Sequence, residues 1–248
     1  MKIGIIGIGS IGGLLARGLA AAGHRVSVAN SRGAQDVQSF ADEIGATAAD
    51  AKGAVAGADL VILSIPLPAL AKLPKDLFDT VPQDVPVVDT SNYYPVMRDP
   101  QIAELDAGEV ESLCVSRQIG RPVIKAFNNI LAYSLAEFGQ PENSPGRLAI
   151  AVAGDDARHK EIVYGIVNEM GFDPVDAGTL AESWRQQPST PAYCCDYDAE
   201  TMRKALAMAV GGEAPKKRDK LVTMYAGLGP SPTHAQFIEL NRSANPIS

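Results

Sequence analysis

The sequence predicts an α/β protein in which a doubly wound, mostly parallel sheet occupies residues 1–178 and a small helical C-terminal subdomain occupies residues 179–248. Three observations predict it. Short apolar runs alternate with amphipathic stretches of helical length, the pattern of successive βαβ units. Several of these runs are apolar at nearly every position, which suits parallel strands covered by helices on both faces. From Leu180 onward no strand-like run remains, while residues 199–210 and 216–225 read as helices separated by Gly211-Gly212.

Taken in order, residues 3–6 form the first strand. The first helix follows because Ile11, Leu14, Leu15, Leu19 and Ala22 recur at spacings of three and four, with Gly23 as its stop. Residues 25–30 are the second strand, and the helix after it breaks at Gly45. A short segment, residues 46–48, precedes a helix capped by Asp50 that runs to Ala58. Residues 60–65, 85–89, 123–126 and 148–153 are further strands. A helix over residues 156–170 leads into residues 172–176, where Pro174 suits an edge strand.

Between the first strand and the first helix stands Gly7-Ile8-Gly9-Ser10-Ile11-Gly12, a Rossmann-type dinucleotide-binding fingerprint. Gly7 serves the tight turn, Gly9 lets backbone approach a pyrophosphate, and Gly12 allows helix and strand to pack closely. The pyrophosphate then meets the free N–H groups of the helix start, around Ser10 and Ile11. The residues that follow lead to the expectation of NADP rather than NAD. An NAD site offers an acidic residue about 20 positions past the glycines, yet no Asp or Glu occurs before Asp36 and the second strand ends Asn30-Ser31-Arg32. Ser31 can donate to a 2'-phosphate and Arg32 can hold it with a charged fork, where a carboxylate would repel it.

Composition narrows the function. Hydrophobic residues make up 46% and charged residues 21%, which places the chain in the globular class. A net charge of -7 argues against nucleic acid or an anionic membrane as the main partner. No run approaches the roughly 20 apolar residues of a membrane span, and no leader precedes the first strand, so the expected location is the cytoplasm. Cys114, Cys194 and Cys195 have no metal-ligand spacing, and His24, His159 and His234 are scattered, so no metal is expected. The adjacent Cys194-Cys195 pair is expected to be reduced, a redox-active thiol being the less common alternative.

The glycine turn, Asn30-Ser31-Arg32, Ser64-Ile65-Pro66, Lys125-Ala126-Phe127-Asn128, Ala153-Gly154-Asp155-Asp156 and Asp176-Ala177-Gly178 occur in an order that resembles one family. It is that of NADP-dependent oxidoreductases related to the F420-dependent NADP reductases, similar also to the nucleotide-binding domain of membrane ferric reductases. The resemblance extends over about three quarters of the chain. It implies that Ser31 and Arg32 hold the 2'-phosphate, that Ser64, Ile65 and Pro66 border the adenosine and nicotinamide ribose, and that Ala126 lies against the nicotinamide. The implied activity is hydride transfer between NADP(H) and a planar acceptor such as coenzyme F420 or a flavin.

Independently of the resemblance, residues 64–66, 89–92 and 126–129 all follow strands, so they gather at the carboxyl edge of the sheet where such folds bind ligands. Asn92, Asn128 and Asn129 there could bond a carboxamide or a ring edge, or satisfy their own turns. Tyr93 and Tyr94 read as packing residues more than as a stacking platform. The candidate catalytic residues are Lys125 and Asn128, with Lys125 either assisting a carbonyl or an anionic ring, or pairing structurally with a carboxylate. No Ser-His-Asp or Cys-His set stands out, as fits a reaction carried by two conjugated rings.

After Gly178 the chain departs from the family's pattern. Trp184, Tyr193 and Tyr197 either line an acceptor pocket or form a contact in an expected homodimer, and Lys216-Lys217-Arg218 either attracts an anionic substrate tail or forms a solvated helix face. Two alternatives to F420 or flavin reduction remain at this stage. One is an NADPH-dependent reductase of a small carbonyl or imine, and the other is a sensor that binds NADPH without turnover.

Overall fold

The computed structural model describes residues 1–95 and 97–247, with backbone alone at 219, 221 and 222. The strands are β1 (Lys2–Ile6), β2 (Arg25–Ala29), β3 (Thr47–Ala48), β4 (Leu60–Leu63), β5 (Val87–Asp89), β6 (Ile124–Lys125), β7 (Ala149–Val152) and β8 (Asp173–Asp176). The first six form one parallel sheet in the order β3-β2-β1-β4-β5-β6, the doubly wound order whose direction reverses between β1 and β4. β7 and β8 pair in parallel, and β7 meets β6 antiparallel through Lys125 N to Ala153 O (2.8 Å) and Ala153 N to Lys125 O (3.0 Å). The expected mostly parallel sheet is present, and β8, which carries Pro174, lies outermost beside β7.

The helices are α1 (Ser10–Ala21), α2 (Ala34–Ile44), α3 (Ala51–Val55), α4 (Leu67–Leu70), α5 (Ala103–Asp106), α6 (Glu111–Ile119), α7 (Ala132–Glu137), α8 (Ala157–Glu169), α9 (Ala199–Met208), α10 (Glu213–Ala226) and α11 (His234–Ala244), with a 3-10 segment at Leu180–Gln186. Strand side chains alternate between two cores. Ile3, Ile5, Val26, Val28, Leu60 and Ile62 pack with α1, α2 and α8, while Ile6, Ala29, Val61, Leu63 and Val87 pack with α3, α4 and α6. Coverage of both faces is why these strands read as unbroken apolar runs.

Several short helices escape the periodicity of the sequence. α4 and α5 have four residues each, too few to display a period. α6 is nine residues long, but its buried side includes Glu111 and Ser112, so polar residues stand where an apolar stripe would be read. The Asp50-capped helix stops at Val55, and its cap is real: the Asp50 side chain accepts from Gly53 N at 2.7 Å.

Residues beyond Gly178 pack onto the sheet. Met202, Ala205 and Leu206 of α9 form a third core with Ala149, Ala151 and Val175 of β7 and β8. α11 holds the loop before α9, through Asn241 Nδ2 to Cys194 O (2.9 Å) and Arg242 Nε to Cys195 O (2.8 Å). That loop contains Ser189, Cys194 and Asp196 at positive φ, so the side-chain donors of α11 stabilise a backbone that the residues themselves do not favour.

The junction of β1, α1 and β4 is the tightest part of the site. A Cβ on Gly12 would lie 2.0 Å from Gly7 O and 2.8 Å from Ser64 Cβ, and one on Gly7, whose φ is +99°, would lie 2.2 Å from Ser64 O. Gly12→Ala is therefore expected to destabilise the protein by at least the ~1–3 kcal/mol typical of overpacking, measured as a lowered urea midpoint with an unchanged denaturant slope.

Candidate dinucleotide site and strand-end network

Consecutive backbone bonds bring the strand ends into line. Gly7 N donates to Ala29 O (2.8 Å), Ser64 N to Ile6 O (2.8 Å), Thr90 N to Leu63 O (3.1 Å) and Ala126 N to Asp89 O (3.2 Å). The turns that follow β1, β2, β4, β5 and β6 consequently share one edge. On it α1 begins at Ser10 with Gly9 as N-cap and no side chain capping its first N–H groups. A Cβ on Gly9 would meet nothing within 4 Å, and its φ of -70° asks for no glycine. Neither packing nor conformation explains Gly9, whereas room for a pyrophosphate against uncapped N–H groups does. The residues present fit the cofactor that the fingerprint implies.

At the end of β2, Arg32 is already engaged by a residue that the sequence reading did not assign. Its guanidinium makes a two-pronged pair with Asp36, Nε to Oδ1 and Nη2 to Oδ2, both at 2.7 Å. Asn30 donates to the same carboxylate and accepts from Arg32 N at 2.8 Å. The hydrogen bond from Arg32, joined by that from Asn30, holds the Asp36 carboxyl below the usual carboxylate range. A carboxylate thus occupies the fork assigned to a 2'-phosphate, and Arg32 remains largely exposed, free to exchange one anion for another. Asp36 lies in the first turn of α2, one position beyond the stretch free of acidic residues, and no spacing rule marks it.

Ser64, Ile65 and Pro66 form the turn into α4, with Ser64 Oγ accepting from Thr90 Oγ1 at 3.1 Å. Ala126 is fully buried, and Phe127 after it has a φ of +59°, an uncommon conformation for a bulky residue, held in the bend that follows β6. Asn92 and Asn128 face each other. Asn128 Nδ2 donates to Asn92 Oδ1 (3.0 Å) and Gln186 O (2.8 Å), its Oδ1 accepts from Gln186 Nε2 (2.9 Å), and Asn92 Nδ2 donates to Asn128 O (2.9 Å). Both protons of the Asn128 amide are thereby committed within the protein. Gln186 Nε2 also reaches Ala151 O at 3.2 Å, so the start of the tail is tied to the strand ends by a side chain the sequence did not single out.

Lys125 is completely buried, with Nζ donating to Asp89 Oδ2 (3.0 Å) and to Ser91 O. Asp89 also accepts from Ser91 N (2.9 Å) and Ser112 Oγ (2.9 Å), so both members of the pair are hydrogen-bonded. Of the two readings open for Lys125, the geometry is that of the carboxylate pair. Tyr93 and Tyr94 are packing residues in the structure: Tyr93 is 1% exposed and its hydroxyl donates to Asp106 at 2.9 Å, while the hydroxyls of Tyr94 and Tyr193 bond each other.

Glu111, at the start of α6, is a buried carboxyl strongly perturbed toward neutrality. Burial raises its carboxyl to about 7, the nearby Asp89 charge adds to this, and Lys125 opposes it. Its spacing in the sequence is that of any polar helix residue, so nothing there revealed it. Burial likewise raises the thiols, Cys195 to about 12 and Cys194 well above its ordinary value, and all three cysteines are free and buried. They have the character of inert thiols. Among the described residues no group of His, Cys, Asp and Glu could hold a metal ion, and no helix is long and apolar enough to cross a membrane.

Residues 2–93 match the family described as NADP oxidoreductase, coenzyme F420-dependent. The Escherichia coli K12 protein YjhV is 50% identical over 105 residues, covering 42% of this chain and 77% of that protein. Among solved structures, the hypothetical protein SMa0349 of Sinorhizobium meliloti is 33% identical, with a TM-score of 0.62 over 75% of this chain and 89% of the other. The "putative F420 dependent NADP-reductase" of Arthrobacter sp. FB24 shares the fold, with 21% identity and a TM-score of 0.60 over 74% of this chain and 87% of that one.

Two stability measurements test the polar interior. Lys125→Met leaves Asp89 charged and buried, and a loss of about 3–5 kcal/mol is expected from chemical denaturation. For Glu111, whose folded pKa lies above its unfolded value, the native state holds the extra proton between about 4.5 and 7, so wild-type stability falls as pH rises through that window. Glu111→Gln removes the dependence. Its stability relative to wild type should therefore improve, by on the order of 3 kcal/mol between about pH 4 and pH 8, in urea unfolding at the two values.

Proposed function

Since the chain belongs to the family of coenzyme F420-dependent NADP oxidoreductases, we propose that it moves a hydride between nicotinamide C4 of NADP and a planar conjugated acceptor, coenzyme F420 or a flavin. Its class is NADP-dependent oxidoreductase; the acceptor is the step inferred here. The observation that favours a ring acceptor is the state of the strand-end side chains. Lys125 is sealed in its pair with Asp89, and the Asn128 amide is spent on Asn92 and Gln186, so neither is left to donate a proton to a substrate carbonyl. Ring-to-ring transfer asks for alignment and exclusion of water, and two conjugated rings carry the electrons themselves.

In this reading the α1 N-terminus and Gly9 bind the pyrophosphate. Ser31 and Arg32 take the 2'-phosphate as Asp36 gives up its place, with Asn30 beside them. Ser64, Ile65 and Pro66 border the ribose, and Ala126, with Asn92 nearby, supports the nicotinamide end. The nicotinamide supplies two electrons and a proton as hydride, and a solvent proton completes reduction of the acceptor. Phe127, fully buried behind Ala126, supports a dry wall.

The test is nicotinamide oxidation by the purified protein with F420, FMN, FAD and simple carbonyls, with NADH in place of NADPH as control. Turnover with F420 or a free flavin is the expected result; turnover confined to carbonyls, or NADPH binding with no turnover, overturns it. Arg32→Ala should raise the NADPH KM about tenfold or more, the worth of a charge-assisted fork, and leave the NADH KM nearly unchanged.

A further inference from the structure

The turn after β2 brings one carboxylate back onto the residues assigned to the 2'-phosphate. α2 begins at Ala34, and Asp36 stands in its first turn, where a negative charge is favoured by the helix dipole. Its side chain is nonetheless engaged toward the end of β2. Three donors converge on it: Arg32 Nε on Oδ1 and Arg32 Nη2 on Oδ2, both at 2.7 Å, and Asn30 Nδ2 on Oδ2. Asn30 Oδ1 in turn accepts from Arg32 N at 2.8 Å, so Asn30 holds both members of the pair.

These donors are of the kind a phosphate monoester takes, a planar guanidinium fork and a neutral amide. A carboxylate and a phosphate offer the fork the same two-oxygen geometry, so one excludes the other from the same nitrogens. Charge favours the phosphate, which carries about -1.5 to -2 at neutral pH against the single negative charge of the carboxylate. Solvent access permits the exchange, since the Arg32 side chain is 74% exposed and that of Asp36 31%. Binding a 2'-phosphate therefore begins with the breaking of a formed ion pair and leaves Asp36 near a like-charged group. A ribose with a free 2'-hydroxyl meets neither cost.

We propose that Asp36 is a specificity-determining residue, an internal anion that competes with the 2'-phosphate of NADP for Arg32 and so narrows the preference for NADP over NAD. This rests on the proposed dinucleotide site and adds to it the residue that sets the size of the preference. Asp36→Asn keeps the shape and one acceptor oxygen for Arg32 while removing the charge, and it releases Arg32 Nη2 and Asn30 Nδ2 for a phosphate. The fold tolerates the change, because an exposed ion pair contributes little to stability.

The test is calorimetric titration of NADP+ and NAD+ into the full-length protein, reading the ratio of the two dissociation constants in wild type, Asp36→Asn, Arg32→Ala and the double variant. Asp36→Asn should raise the ratio in favour of NADP+ by about fivefold, the upper worth of an exposed ion pair. The same substitution made in Arg32→Ala should change the ratio by less than about twofold, because the fork for which the two anions compete is gone. An unchanged or lowered ratio in Asp36→Asn overturns the proposal: Asp36 then only orients Arg32, and the dinucleotide reading stands on the wild-type preference for NADP+. A full gain that persists without Arg32 also overturns it, since the effect is then general charge repulsion. Wild-type protein that binds neither nucleotide removes the dinucleotide reading, and this inference with it.

Discussion

The nucleotide-binding edge depends on one close approach, where α1 passes the β1 turn and the end of β4 with no room for a side chain. A Cβ at Gly12 would lie 2.0 Å from Gly7 O, and one at Gly7 would lie 2.2 Å from Ser64 O, so three segments are held at backbone contact. This contact fixes where α1 begins and leaves its first N–H groups uncapped at the carboxyl edge of the sheet. Gly9 belongs to the same turn but is not required by packing: a Cβ there would meet nothing within 4 Å.

A second layer of order comes from buried polar groups that bond one another, although Gln186 Oε1 in it has no partner. Lys125 and Asp89 join β6 to β5 and to α6 through Ser112, and Asn92, Asn128 and Gln186 join the strand ends to the tail. Such a network is costly when any member is missing and specific when all are present, which suits a place where five turns must keep a common register. Its consequence for chemistry is that the residues most eligible for proton transfer by sequence are occupied structurally. Among the described residues, the carboxylate oxygens left without partners, Glu109 Oε2 and Glu111 Oε2, belong instead to the segment leading into α6.

The candidate site was legible in proportion to how local its signals are. The glycine turn follows from backbone sterics within six residues, and Asn30-Ser31-Arg32 follows from the distance along one βαβ unit, so both stand out in the sequence. Asp36 did not, because an acidic residue in the first turn of a helix has an ordinary local explanation in the helix dipole. Glu111 and Gln186 did not, because a polar residue reads as solvent-facing until distant segments close over it. Tyr93 is buried as the packing reading of a tyrosine just after a strand expects.

By itself the sequence determined the alternation of strands and helices, the parallel sheet covered on both faces, and the glycine turn between β1 and α1, since each is set by hydrophobic period or by glycine sterics over short range. Tertiary structure alone decided the antiparallel turn of β7 onto β6, the packing of α9 against β7 and β8, the partner of Lys125, the carboxylate that holds Arg32, and the burial of Glu111. The reason is physical: burial and charge pairing belong to groups brought together from separate parts of the chain, and no residue's own type states which neighbour it will meet.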